Sequence, residues 1–301
     1  MSDKGEVLFQ YINKDQNLNQ TFGINLKKYL AHQVLDIDHV LRDTPDDVYK
    51  NSEVKLKLER SEGPYIFLPE YKTPLPVQYS EVNQDVVYQK GNLVEQWTII
   101  YDKNNDERAM IKVRFSEFFK QFIEFDVELN TVPIDDDQGK DITVNWKMFN
   151  GFNPKGQFWT DSNGLEMQPR QILNYSEVTA NYIKFLAKDQ PTYKNISRNY
   201  YPVDSAIVMR DFQPNSSIQV TIMNDRPQGG SADLSQASTI ELMQQRRILM
   251  NDEYGADHGL NETDRDGKGV RVKARYFMQI FDTSKASSMQ RQQQLNVQQP
   301  L

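Results

Sequence analysis

The amino-acid sequence predicts a mainly β protein, a large antiparallel β-sandwich built from more than one sheet with few short helices. Three observations lead there. Apolar and polar residues alternate with period two over several short runs, as in strands with one buried face. Clusters of Asn, Asp, Gly, Pro and Ser separate those runs and supply turn chemistry. No self-similarity with a period of about 20–50 residues is visible, which sets aside solenoids and propellers.

The clearest strand is 123–129, where Ile123, Phe125, Val127 and Leu129 alternate with Glu124, Asp126 and Glu128. Ahead of it, Val94–Tyr101 and Met110–Phe115 read as strands joined through the turn Lys103-Asn104-Asn105-Asp106. Beyond it, Asp135-Asp136-Asp137-Gln138-Gly139 leads into Ile142–Phe149, and Ser162-Asn163-Gly164 marks the next turn. Ala206–Met209 and Ile218–Met223 flank Pro214-Asn215-Ser216-Ser217, and Gln228-Gly229-Gly230 follows the second of them. In Val270–Phe281, Val270, Val272, Ala274, Tyr276, Met278 and Ile280 share one face, with Arg271, Lys273 and Arg275 on the other. Ser238–Asn251 admits two readings: Ser238 and Glu241 have capping-box spacing for a helix start, while Ile240 and Leu242 continue a period-two strand. From Met289 to Leu301 the composition turns to Gln, with too few apolar residues to pack independently, so 289–301 is expected to be a disordered tail after a folded unit spanning 1–288.

Composition excludes several functions. The chain of 301 residues has no Cys, which removes disulfides, thiolate-ligated zinc, iron–sulfur clusters and a cysteine nucleophile. Three His remain, His32, His39 and His258, too few and too dispersed to predict a His-rich metal centre. A net charge of −7 argues against nucleic-acid or anionic-membrane binding through phosphate neutralisation. No apolar run approaches the roughly 18 residues of a membrane span, and the amino terminus Met-Ser-Asp-Lys-Gly-Glu lacks the order of a signal peptide.

Four clusters carry chemistry-bearing residues. Met223 to Ser231 places Asp225 and Arg226 beside Gly229 and Gly230, an acceptor and a forked donor where a backbone can approach a ligand closely; its ordinary reading is a strand-to-loop turn. Phe158 to Gly164 sets aromatics before a polar turn, a combination suited to a sugar ring and equally to a core aromatic ahead of a β-turn. In Glu62 to Pro69, Gly63 and Pro64 turn the chain sharply and present Tyr65 at its edge, against the default of a buried, satisfied Tyr. Asp252 and Glu253 beside Tyr254 pair two acids, as glycoside hydrolysis requires, in what is ordinarily a solvated loop. Asn-x-Ser/Thr occurs at Asn19, Asn174, Asn195, Asn215 and Asn261, weak support for passage through the secretory pathway.

Taken in order, Gln157 to Gly164, Asn199-Tyr200-Tyr201-Pro202-Val203, Asn224 to Ser231 and Ile240 to Leu249 resemble the C-terminal region of lysosomal-type α-mannosidases, glycoside hydrolase family 38. Gly63-Pro64-Tyr65-Ile66-Phe67-Leu68-Pro69 resembles that family's Gly-Ala-Tyr-(Ile/Leu)-Phe-x-Pro segment, and Val132-Pro133-Ile134 with Gly139-Lys140 resembles another. The resemblance covers 60–282 well and 1–59 weakly. It implies an enzyme that removes α-linked mannose from N-glycans in the lysosome or secretory pathway, with zinc held by two His and two Asp of an α/β barrel. The family's His-x-Asp-Pro-Gly-Trp and His-His-Asp segments are absent from this sequence, so no catalytic residue and no metal ligand is expected in it. The barrel is then the expected partner, upstream in cis or as a separate chain, together with a mannose-containing glycan. By the same resemblance Tyr65 reaches the substrate, Tyr254 stands where the family's Asp-Asp-x-Arg-Gly loop supplies an Arg, and Arg226 is a third candidate contact. The implied function is the C-terminal portion of an α-mannosidase, inactive alone; the alternatives are a stand-alone mannose-binding lectin-like module and a ligand-free structural remnant.

Overall fold

The computed structural model describes residues 7–33, 61–71, 73–77, 84–101, 109–173, 194–234, 237–251 and 258–298. In chain order the elements are β1 (Val7–Asn13), β2 (Leu18–Leu30), β3 (Leu75–Pro76), β4 (Gln84–Lys90), β5 (Val94–Tyr101), β6 (Ala109–Ser116), β7 (Ile123–Leu129), β8 (Lys140–Met148), β9 (Gln157–Ser162) and β10 (Glu166–Gln171). A short helix α1 (Lys194–Ser197) precedes β11 (Tyr201–Val203), β12 (Ala206–Arg210), β13 (Ile218–Asn224), β14 (Gln228–Ala232), β15 (Thr239–Arg247) and β16 (Val272–Asp282), and helix α2 (Thr283–Gln298) follows.

Two antiparallel sheets result. The first runs β1-β2-β8-β15-β14-β11, with β3 added to β2; the second runs β10-β9-β12-β13-β16-β7-β6-β5-β4. The protein is therefore a mainly β sandwich, as the alternation predicts. Phe22, Ile24 and Leu26 of β2, Val144 and Trp146 of β8, and Ile240 and Leu242 of β15 face Ile111, Phe125, Val127, Tyr276 and Met278 of the second sheet in one continuous core. Trp146 spans the gap edge-on, its ring 5.8 Å from Phe125 and 5.0 Å from Tyr276. Along β7 the acidic residues turn outward and meet cations from neighbouring strands: Arg114 reaches Glu124 at 3.0 Å and Asp126 at 2.6 Å, and Lys273 reaches Glu128 at 3.0 Å.

Two sequence readings meet the structure at Ser238 and at the carboxyl end. Thr239–Arg247 is strand, not helix. Ser238 is spent on the Phe152 carbonyl, and Glu241 accepts hydrogen bonds from tyrosines across the sheet. The stretch expected to be a disordered tail is helical as far as Gln298. The reason lies in what the helix covers. The outer face of β13 and β16 carries Gln219, Thr221 and Gln279, and α2 is received there through Gln294 Nε2 donating to Ser205 Oγ, just ahead of β12, at 2.8 Å and Gln290 packing beside Gln219 and Met167. Gln290, Gln293 and Gln294 are buried, while Val297 joins Phe122 and Met167 around Met223 and Phe277. Glutamines that cannot build a core alone thus satisfy polar groups of a sheet. Asp282 caps the start, its Oδ1 accepting from Ser284 N at 2.9 Å.

Candidate functional site

The loop 61–70 leaves and rejoins the first sheet beside the end of β2. Glu62 N donates to His32 O at 2.7 Å, His32 N to Leu68 O at 2.9 Å and Glu70 N to Leu30 O at 2.7 Å, so both feet are tied to one strand end. Such a closed surface loop presents its tip to solvent. At that tip is Tyr65, with 79% of its surface exposed, following Gly63 and Pro64 in a turn whose own Ile66 N to Gly63 O bond is long, 3.3 Å.

What holds the turn lies beneath it. Arg246 of β15 donates from Nη1 to Pro64 O at 3.0 Å and from Nη2 to Ile66 O at 2.9 Å and Gly63 O at 3.3 Å. The same guanidinium reaches Glu62 Oε1 at 2.5 Å and, through Nε, Asp141 Oδ1 at 2.7 Å. Glu62 and Asp141 are fully buried. Burial, then the Asp141 carboxylate, pushes the Glu62 carboxyl well above its usual range against the pull of Arg246. Burial opposes the Arg246 charge, but Asp141 and Glu62 outweigh it and raise that group further. Among the described residues Glu62 Oε2 and Asp141 Oδ2 are buried without another hydrogen-bond partner, an arrangement that one proton held between them satisfies. With that proton the triad is neutral, the condition under which buried charges are tolerated.

The far side of the loop is clipped by aromatics. The Phe67 ring lies 5.4 Å from Tyr29 and 4.6 Å from Tyr200. Both phenols donate to Glu241, Tyr29 at 3.0 Å and Tyr200 by a shorter contact. Burial, followed by the adjacent Glu241 carboxylate, raises both tyrosines well above their ordinary range, and burial likewise raises Glu241. They are hydrogen-bond donors at every physiological pH.

The other expected contacts fall elsewhere. Arg226 is engaged by Asp225 at 3.0 Å and by the Lys273 carbonyl. It lines an open depression of about 620 Å³ with Asn163, Asp204, Asp225 and Arg275; Tyr65 is not among the lining residues. Tyr254 lies outside the described residues, as does His39. Gly230 approaches a neighbouring strand, not a ligand: a Cβ there would meet Leu242 Cδ2 at 2.5 Å. Asp161 is consumed between its own turn and the start of β12, accepting from Gly164 N at 3.1 Å and from Ser205 N and Ala206 N at 2.9 Å. His32 Nδ1 lies 2.6 Å from Glu70 Oε2, and His258 is exposed. Among the described residues no three His, Cys, Asp or Glu side chains converge as a metal site requires, so this donor set does not fit the zinc that the resemblance attaches to the intact enzyme. Among those residues, too, no helix is long and apolar enough to cross a membrane.

Fold and loop together define a mainly β sandwich that presents an exposed tyrosine on a tied surface loop, and comparison with known proteins gives the family. The glycosyl hydrolases family 38 C-terminal domain matches residues 38–254, and the chain belongs to that family. Lysosomal alpha-mannosidase of Mus musculus is 29% identical over 236 residues, covering 77% of this chain and 20% of that protein. The Homo sapiens lysosomal alpha-mannosidase is 27% identical over 244 residues, 76% of this chain and 20% of its own length. Alpha-mannosidase of Canavalia ensiformis is 25% identical over 249 residues, with 81% and 23% covered. The chain thus spans about a fifth of the length of the curated relatives it matches. A galactose mutarotase related enzyme from Lactobacillus acidophilus superposes with a TM-score of 0.34 at 11% identity over 66% of this chain and 72% of that one, too distant a likeness to carry weight.

Proposed function

We propose that this chain is the β-sandwich portion of a family 38 α-mannosidase and that it completes the mannose pocket through Tyr65, while zinc and the catalytic carboxylates come from the family's α/β barrel. The observation that carries the reading is the exposed Tyr65, held on a doubly tied loop in the segment that matches the family's Gly-x-Tyr-(Ile/Leu)-Phe pattern. An aromatic ring with one hydroxyl offers an apolar face to a sugar's C–H side and a hydrogen bond to its edge. Such a phenol, left in water by this chain, is suited to a pocket closed from the opposite side by another domain. Tyr254 offers a single donor where the family pattern has an Arg, and Arg226 already spends its guanidinium locally, so Tyr65 is assigned the principal contact. A mannose-bearing N-glycan is the substrate and the lysosome or secretory pathway the compartment on this reading.

The test is turnover of a nitrophenyl α-mannoside by the purified chain, alone and combined with the zinc-binding barrel of a family member. The expected result is no release by the chain alone, release by the combination, and a fall of at least tenfold in kcat/KM for Tyr65→Ala in the combination. Chelator-insensitive release by the chain alone, or a Tyr65→Ala enzyme as active as the parent, overturns it.

A further inference from the structure

We infer that Arg246 is the positioning residue for Tyr65: its largely covered guanidinium grips the carbonyls of the turn that carries the phenol and so sets the direction in which that side chain leaves the protein. The inference rests on the reading of Tyr65 as the sugar contact and deepens it.

Three carbonyls of one tight turn, those of Gly63, Pro64 and Ile66, converge on this single cation. Pro64 has no N–H, and the turn's internal bond is long, so the turn is weakly closed by its own backbone. Carbonyls on both sides of Tyr65 are thus fixed from below, which leaves the backbone at that residue little freedom to rotate. Glu62 and Asp141 in turn fix the plane of the guanidinium, each from a different element, the loop foot and β8. A planar fork with five N–H groups meets this demand; a compact ammonium with three donors on a flexible four-carbon stem does not. Arg246 touches no sugar in this arrangement and acts only through the turn.

Positioning is separable from simple stabilisation. In amide hydrogen exchange of the full chain, Arg246→Lys is expected to speed exchange at Tyr65 to Leu68 by at least tenfold, leaving β6 and β7 amides unchanged. In the enzyme assembled with the catalytic barrel, and at a temperature where the variant is fully folded, Arg246→Lys is expected to lower kcat/KM by about tenfold or more, and to lower it no further in a Tyr65→Ala background, because the two residues then act as one unit. Should Arg246→Lys not fold, the variant Glu62→Gln/Asp141→Asn/Arg246→Met removes the three charges together and is read in the same way. Unchanged exchange across Tyr65 to Leu68, or losses that multiply in the double variant, overturns the inference. Faster exchange at the loop with no kinetic effect of Tyr65→Ala leaves Arg246 as the residue that holds the turn and overturns only the assignment of Tyr65 to the sugar.

Discussion

Glu62→Gln isolates the proton that the two buried carboxyl groups beside Arg246 require. In the folded protein the carboxyl of Glu62 is raised well above the ordinary glutamate value of 4.5, by burial first and by Asp141 second. A raised acid binds its proton more tightly when folded, so stability is intact below pH 4.5 and declines as pH climbs from there toward the folded value. The slope for one proton is at most about 1.4 kcal/mol per pH unit, so a rise of two pH units costs the parent up to about 2.7 kcal/mol. Glutamine mimics the protonated acid: its carbonyl accepts from Arg246 as Glu62 Oε1 does, and its amide can donate to Asp141 Oδ2. The variant is therefore expected to match the parent within about 1 kcal/mol near pH 4.5 and to become progressively the more stable as pH rises. Urea unfolding of both proteins at half-unit intervals from pH 4.5 to 7.5 measures the difference. Parallel stability curves would mean that Glu62 has no raised value. A variant weaker by about 3–5 kcal/mol at every pH would mean that a paired, ionised carboxylate had been removed. Either result refutes the shared proton.

Phe67→Ala removes the ring between Tyr29 and Tyr200 and is expected to cost about 2–3 kcal/mol in urea unfolding, less than a fully buried Phe because the side chain is partly exposed. Asp282→Ala removes the cap of α2 and is expected to cost about 1 kcal/mol at pH 7, seen as faster amide exchange across Thr283–Gln298. Hydrogen bonds from Ser217 and Ser284 hold the Asp282 carboxyl down to about 2 from 3.8, so the difference between the two proteins should vanish as pH falls through that interval. A metal held only by the folded chain would raise its melting midpoint. With no convergent ligand set among the described residues, treatment with a chelator is expected to leave that midpoint unmoved.

The parts of this fold that were legible in sequence are those where one physical rule acts alone. Ile123–Leu129 alternates strictly because one face meets the core and the other meets cations of β6 and β16, and its bounds agree with the observed strand. Val94–Tyr101 agrees likewise. The carboxyl-terminal helix was illegible for the opposite reason: its glutamines are buried against polar groups of a sheet, a match between two distant segments that composition does not encode. The turn that carries Tyr65 was legible because Gly63 and Pro64 announce it, whereas nothing local announces that Glu62, Asp141 and Arg246 meet, since 79 and 105 residues separate neighbouring members along the chain.

Arg246 shows why the hub was harder to see than the residue it holds. Ile240 and Leu242 point into the core, and continuing their period of two would send Arg246 inward as well. The register along β8 departs from that count: Met243 stands opposite Thr143, but Gln245, not Gln244, stands opposite Ile142, and Arg246 opposite Asp141. One extra residue has been taken up as a β-bulge, and the parity of the strand reverses beyond it. Gln244 remains on the core side, donating to the Val127 carbonyl and accepting from Tyr276, so its polar amide is satisfied where an apolar residue would be expected. The reversal delivers Arg246 to the outer face of the first sheet, where Asp141 and the Glu62 loop foot stand. A regular strand would bury that guanidinium in the apolar core without acceptors, at a cost far above that of the bulge. The bulge, the Gln244 hydrogen bonds and the orientation of Tyr65 are consequently one structural decision, made by a single residue inserted in β15.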